Sequence, residues 1–241
     1  AACHGSVVDS ATGQCWLFLE HVAGTQLCFV GDFAQWERAA RWAATFHDAY
    51  AATEASRLGR QAGLLTYDEP YYTTWLTRAR AFATGTPERR ETLDRIASAY
   101  PLAVDRLLAM PQTIIHGEFY APNVIVGSGR ARRICPVDWE MCALGPGLVD
   151  LAALTAGWAP ESQEALARAY HAASSMRHSH TPGELGLDLD CCRLYLAVRM
   201  LGWSDQWTPP AQHTHNWLTE AATLAERLER RLRPSGLALP A

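Results

Sequence analysis

The stretch from Ile114 to Asp150 constrains this chain more than any other. It reads I-I-H-G-E-F-Y-A-P-N-V-I-V, then a basic turn, then I-C-P-V-D-W-E-M-C-A-L-G-P-G-L-V-D. The short apolar runs Ile114-Ile115 and Val124-Ile125-Val126 flank a polar loop, and a third run, Ile134 to Val137, delivers Asp138 just past its end. Runs this short, bounded by Gly, Pro and polar residues, read as buried strands. On that reading Glu118, Asn123 and Asp138 stand on adjacent strand ends.

Transfer of a phosphoryl group from a nucleotide to a hydroxyl needs a carboxylate to accept the hydroxyl proton. It also needs a second carboxylate and an amide oxygen to hold Mg²⁺ against the phosphates. Glu118, Asp138 and Asn123 supply those groups. Magnesium takes hard oxygen ligands and keeps several waters, so two protein ligands suffice once phosphates complete the shell. Taken singly, a His-Gly turn can simply satisfy backbone donors, and an acid at a strand end can cap a helix. It is the ordered set that points to chemistry.

His116-Gly117-Glu118 with Asn123, then Asp138-Trp139-Glu140, then Gly145 to Asp150-Leu151-Ala152, resembles the catalytic core of the aminoglycoside phosphotransferase family. The usual pattern there is H-G-D-x-x-x-x-N, D-W-E or D-F-E, and D-L-A, a paired match far more specific than a single motif. The resemblance implies a protein-kinase-like α+β fold, with a remnant of the small β lobe and a mostly helical large lobe. It implies Mg²⁺ and ATP or GTP as cofactors, Glu118 as catalytic base, and Asn123 and Asp138 as metal ligands. His116 would brace the loop and Asp150 would pin it as a structural acid. Leu19, Glu20, His21 and Val22 fall where the family has its adenine-binding hinge. The departure is Glu118, where Asp is usual; the extra methylene moves the carboxylate by about a bond length, and misplacement near 1 Å costs roughly a hundredfold in rate unless the backbone compensates.

What the family places upstream of the hinge is a nucleotide-covering loop, a Lys-bearing strand and a Glu-bearing helix. Here only two residues precede Cys3, and the first is Ala rather than Met. The expected division is therefore residues 1–24 as the end of an N-terminally incomplete small lobe and 25–241 as the catalytic and substrate-binding lobe. No Lys occurs anywhere; all basic charge is Arg.

At 49% hydrophobic and 19% charged, the composition is that of an ordinary globular chain long enough for a large core. The net charge of −4 offers no basic stripe for nucleic acid. Seven cysteines without paired spacing argue for buried thiols in a reducing compartment. No run is long enough to span a bilayer and no leader opens the chain, so a cytoplasmic location is expected. His178-Ser179-His180 and His213-Thr214-His215 have no recognised zinc spacing and read as loops. Oligomeric state leaves no signature.

In chain order, Cys3 to Asp9 and Cys15 to Glu20 read as a hairpin. Asp32, with Gln35 three positions on, caps a helix to about Tyr50. Ala51 to Asp68 reads as a long loop. Pro70 and Thr86-Pro87 each start a helix, and Pro101 should interrupt the second. Leu151 to Ala156 continues a helix under the catalytic loop, and Glu161 to Ala173 forms another. Met176 to Leu187 reads as a loop, followed by helices over Leu189 to Leu201 and Ala211 to Leu232.

The resemblance puts the small-molecule acceptor between the catalytic loop and these last helices. Trp203, Asp205 and Trp207 are the candidates, with Glu184, Asp188, Asp190 and Trp217 near them in sequence. Aromatic faces and carboxylates suit a cationic, hydroxyl-bearing amine such as an aminoglycoside or another amino-alcohol. The alternative is a truncated or degenerate kinase-like domain that binds without catalysing, a reading favoured by Glu118 and the missing Lys.

Overall fold

The computed structural model describes residues 1–50, 53–82, 86–175, 182–203 and 215–232. At the amino terminus β1 (Cys3–Asp9) and β2 (Gln14–Leu19) form the expected antiparallel hairpin. Its turn is held by the Asp9 carboxylate, which accepts from the Ala11 amide and the Thr12 hydroxyl, both at 2.8 Å. Among the described residues these strands pair only with each other, and Val7, Val8, Leu17 and Phe18 stay more than half exposed.

Two three-stranded sheets frame the candidate site. One runs β3 (Gly24–Gln26), β6 (Val124–Gly127), β7 (Ile134–Pro136), antiparallel throughout. The other runs β4 (Leu65–Thr66), β8 (Ala143–Pro146), β5 (Gln112–Ile115), with β4 parallel and β5 antiparallel to β8. This corrects the expectation that the three central runs lie side by side. Only β6 and β7 are neighbours; Ile114 and Ile115 face Leu144 and Ala143 instead. The reason is that A-L-G-P, which reads as turn chemistry, is itself a strand and takes β5 as its partner.

Helices make up the rest. α1 (Phe33–Ala49) starts at Asp32, whose carboxylate accepts from the Ala34 amide at 3.1 Å and from the Gln35 side chain at 3.0 Å. α3 (Glu69–Ala81) starts likewise at Asp68, which accepts from the Tyr71 amide at 2.9 Å. α5 (Leu148–Leu154) and α6 (Pro160–Ala173) lie where the sequence puts them. α8 (Trp217–Leu232) buries Ala221, Leu224, Ala225 and Leu228. It starts at Trp217, with His215 and Asn216 outside the helix and 211–214 outside the described residues, so it is shorter than the expected Ala211 to Leu232. α1 packs on α6, while α7 (Pro182–Leu201) lies against α3, α5 and α8.

Three other helical expectations change. Residues 51–68 hold α2 (Thr53–Ala62) and β4 rather than a loop, with Ala55 and Gly59, four apart, as buried positions. The glycines that signal a loop are outweighed by this packing. α4 (Pro87–Ala109) runs unbroken through Pro101. Leu93, Ile96, Ala99 and Tyr100 before the proline share a buried face with Ala103, Val104 and Leu107 after it. Each fully buried Leu or Ile contributes ~2 kcal/mol, which offsets the ~3 kcal/mol cost of one interior proline. α7 begins at Pro182 rather than Leu189, with proline at a first-turn position where its missing N–H costs nothing. α4 and α8 complete the packing around α7. No helix among the described residues is long and apolar enough to cross a membrane.

Candidate active site

Asp150, on the first turn of α5, is 1% exposed. Its carboxylate accepts from the His116 amide at 2.7 Å, the Gly117 amide at 2.9 Å and His47 Nε2 at 3.1 Å. His47 Nδ1 in turn meets the Tyr170 hydroxyl at 2.8 Å. A carboxylate cannot donate, so Nε2 carries the His47 proton and Nδ1 accepts from the phenol. Burial, and then the Asp150 charge, push that phenol's pKa well up, so it remains a donor. The loop after β5 is thus fastened from below by one acid that spans β5, α1, α5 and α6.

The loop's backbone needs Gly117. Its φ is 81°, and a Cβ there would lie 2.2 Å from the Met141 carbonyl oxygen. His116 fastens the loop from above. Its Nε2 donates to the Val137 carbonyl at 2.8 Å, and its Nδ1 accepts from the Glu118 amide at 3.3 Å. The ring packs 4.6 Å from that of Trp139. Through His116, the loop from one sheet is joined to the end of β7 in the other.

Asn123 precedes β6 and Asp138 follows β7, both at the open end of that hairpin. The Val137 amide donates to the Asn123 carbonyl at 2.9 Å, which extends the pairing to Asn123 and Val137 and leaves Asp138 one residue beyond it. The Asn123 side-chain nitrogen donates to the Glu118 carbonyl at 3.0 Å. With its nitrogen committed, the planar amide turns its oxygen the other way, as a metal ligand must. Asp138 has φ 65°, a left-handed conformation uncommon for a non-glycine residue and concentrated at functional sites. One carboxylate and one amide oxygen fit Mg²⁺, which would draw its remaining ligands from phosphates and water. Among the described residues no three His, Cys, Asp or Glu side chains are grouped to hold a metal. His178, His180 and His213 lie outside the described residues.

Glu118 has a partner that the motif does not name. Arg199, on α7 and 2% exposed, donates from Nη2 to Glu118 Oε1 at 2.6 Å and from Nη1 to the Gly117 carbonyl at 3.0 Å. The guanidinium lies 5.1 Å from the ring centre of Trp203 and 5.7 Å from that of Trp75. Those two rings are stacked at 5.8 Å. The Trp203 face that the sequence offers to a cationic acceptor therefore already carries an internal cation. The one signal of this in the sequence is a lone Arg in L-Y-L-A-V-R-M, four residues after the buried Tyr195 and on the same helix face.

The other acceptor candidates divide. Asp205 and Trp207 lie outside the described residues. Asp188 pairs with Arg106 at 2.5 Å, and Asp190 with Arg193 at 3.3 Å and Arg227 at 3.2 Å, so both acids fasten helices together. Leu19 is the last residue of β2, and Glu20, His21 and Val22 lie in the link from β2 to β3. Glu20 accepts from the Ala2 amide at 2.9 Å and pairs with Arg133, and these contacts hold its carboxyl below the usual range. Near the catalytic loop, burial pushes the Tyr120 phenol up to about 12 and the Cys142 thiol up to about 11, the latter with help from the Asp150 charge.

The sequence model of the phosphotransferase enzyme family (APH) matches residues 2–187. This chain belongs to that family. Membership carries the class of reaction, nucleotide-dependent transfer of a phosphoryl group to a hydroxyl of a small molecule. No curated protein matches the chain in sequence. Solved structures with the same fold include a choline/ethanolamine kinase family protein from Mesorhizobium loti, at 14% identity and TM-score 0.56, covering 95% of this chain and 72% of that one. The GDP complex of wild-type aminoglycoside 2'-phosphotransferase-IIIa matches at 14% identity and TM-score 0.61, covering 95% and 75%. Choline kinase LicA from Streptococcus pneumoniae matches at 11% identity and TM-score 0.57, covering 95% and 73%. The family's α+β fold, with its small amino-terminal β region and helical remainder, is the architecture of this phosphotransferase.

Proposed function

We propose that this phosphotransferase moves the γ-phosphoryl group of ATP or GTP to a hydroxyl of an amino-alcohol, with Glu118 accepting the hydroxyl proton. The observation that carries the reading is the loop from His116 to Asn123. It is bound below by Asp150 and above by the Val137 carbonyl, and within it the Asn123 side chain is tied to the Glu118 carbonyl. Asn123 and Asp138 would hold Mg²⁺, which supplies charge neutralisation at the phosphates. Glu118 takes the proton as the acceptor oxygen bonds to phosphorus and the bond to the leaving nucleoside diphosphate breaks.

The nucleotide would lie along the β6–β7 hairpin, with its base at the link Leu19, Glu20, His21 and Val22. Support comes from spacing. Glu20 pairs with Arg133 at the turn end of that hairpin, and Asn123 and Asp138 stand at the other. The four residues of β6 between them span about 13 Å, so the base and the metal site would stand at opposite ends of the hairpin. The division into residues 1–24 and 25–241 belongs to the same reading. It is supported by β1 and β2 pairing with each other while β3, from Gly24, pairs with β6.

The amino-alcohol rests on what the similar structures are named for, aminoglycoside and choline among them. The Arg199 guanidinium already lies 5.1 Å from the Trp203 ring centre, so that contact lends the acceptor's positive charge no independent support. A cytoplasmic site of action is supported by seven free cysteines, of which Cys135, Cys191 and Cys192 are buried.

The test is thermal stabilisation by ATP or GTP with MgCl₂, followed by transfer to a panel of hydroxylated amines. Asp138→Ala should abolish the magnesium-dependent shift. Glu118→Gln should keep the shift and lose about 100-fold or more in turnover, the usual weight of a general base. A folded protein with no shift in either form would turn the assignment to the non-catalytic binding domain.

A further inference from the structure

We infer that Arg199 is a positioning residue for the candidate base, and that the longer Glu118 side chain and Arg199 form a matched pair. The inference rests on Glu118 being the base. Its own content is that a cation 81 residues away in sequence, on α7, fixes which way that carboxylate points.

The geometry is specific. The guanidinium makes two bonds to two consecutive residues of the catalytic loop, one to the Gly117 carbonyl at 3.0 Å and one to Glu118 Oε1 at 2.6 Å. The first bond holds the backbone on which the side chain is mounted, and the second holds the side chain. Oε1 is thereby engaged, leaving Oε2 as the oxygen to meet an incoming hydroxyl. Arg199 is itself immobilised, 2% exposed with its guanidinium close to the faces of Trp75 and Trp203. A flexible carboxylate tied to a rigid fork loses little orientation entropy when the acceptor binds.

The substitution of Glu for the family's usual Asp then has a structural account. An Asp at position 118 would withdraw the carboxylate by about 1 Å or more, and a 2.6 Å bond would open beyond hydrogen-bond range. The buried cation would then lose its carboxylate. Arg199 Nε already lacks a partner among the described residues, so the guanidinium has little to fall back on.

The experiment is a double-mutant cycle on kcat for magnesium-dependent hydrolysis of ATP, with water as acceptor. It uses wild type, Glu118→Asp, Arg199→Met and the double variant. Arg199→Lys and Arg199→Ala with added guanidinium chloride serve as rescues. Each single change should lower kcat about 10- to 100-fold at nearly constant KM for ATP. The double variant should fall little below the worse single one, because the pair acts as a unit. Lysine should restore part of the rate, and millimolar guanidinium should raise that of Arg199→Ala. Full activity in Arg199→Met, or losses that simply multiply, would overturn the pairing. The two readings fail differently. Glu118→Gln with wild-type kcat removes the base assignment, whereas Glu118→Gln inactive with Arg199→Met unaffected removes only the role of Arg199. If wild type hydrolyses no ATP, crystal structures decide: Glu118 unmoved in Arg199→Met overturns the inference, and Glu118 swung away supports it.

Discussion

Asp150 sits in the interior with three donors on its carboxylate, two of them backbone amides of the loop that presents Glu118. An amide at this position would turn an NH₂ group towards those donors and leave at least one of them unsatisfied. Asp150→Asn should therefore cost about 3 kcal/mol of unfolding free energy, read by urea denaturation, and should lower turnover through the loop as well. Gly117→Ala should be as severe, since its Cβ has a carbonyl oxygen 2.2 Å away and the residue sits at φ 81°. These residues were legible because H-G-E, D-W-E and D-L-A fall in one stretch whose local order mirrors their spatial order. Arg199 has no such local signal, because its meaning lies in a contact between α7 and a loop 81 residues earlier. Composition and spacing carry no trace of such a contact beyond a charge on an otherwise apolar helix face.

At the scale of elements, what was readable depended on whether local chemistry and tertiary packing agree. Asp32 and Asp68 announce α1 and α3 because the carboxylate that caps the helix sits immediately before it. Asp68→Ala should accordingly cost about 1 kcal/mol, measurable as a lowered urea midpoint at unchanged slope. Where the two disagree, packing wins. Pro101 breaks a helix in isolation, yet α4 continues because apolar residues on both sides of it reach the same core. α2 carries Gly59 on its buried face and α7 begins in a stretch of Pro182, Gly183 and Gly186; both read as loops to local rules. β8 was hidden because its partner β5 lies about thirty residues upstream, a distance over which a sequence pattern gives no register.

For the whole molecule, stability is spread unevenly, and two measurements should reveal it. The β1–β2 hairpin pairs only with itself among the described residues and exposes Val8 and Leu17 by 66% and 63%. A two-stranded hairpin alone is marginal in water. Its amides should exchange with solvent orders of magnitude faster than those of β5, where Ile115 is fully buried. The large buried remainder carries the second signature, in its response to alkali. Burial pushes the Cys142 thiol from about 9 up to about 11, the Cys191 thiol up to about 12, and the Tyr120 phenol from about 10 up to about 12. Each of these groups is neutral when protonated, so the folded state holds its proton more tightly than the unfolded chain does. Below about pH 9 both states are protonated, and these groups leave stability independent of pH. Above it the unfolded chain loses protons that the folded state retains, and the unfolding free energy falls with rising pH. The melting temperature should therefore lie flat as pH approaches 9 and decline steadily from there towards 12, without the catalytic carboxylates taking part. Cys142→Ala should shallow the early part of that decline. A melting temperature that stayed level across the whole interval would mean that water reaches these groups and that the packing around the catalytic loop is looser than described.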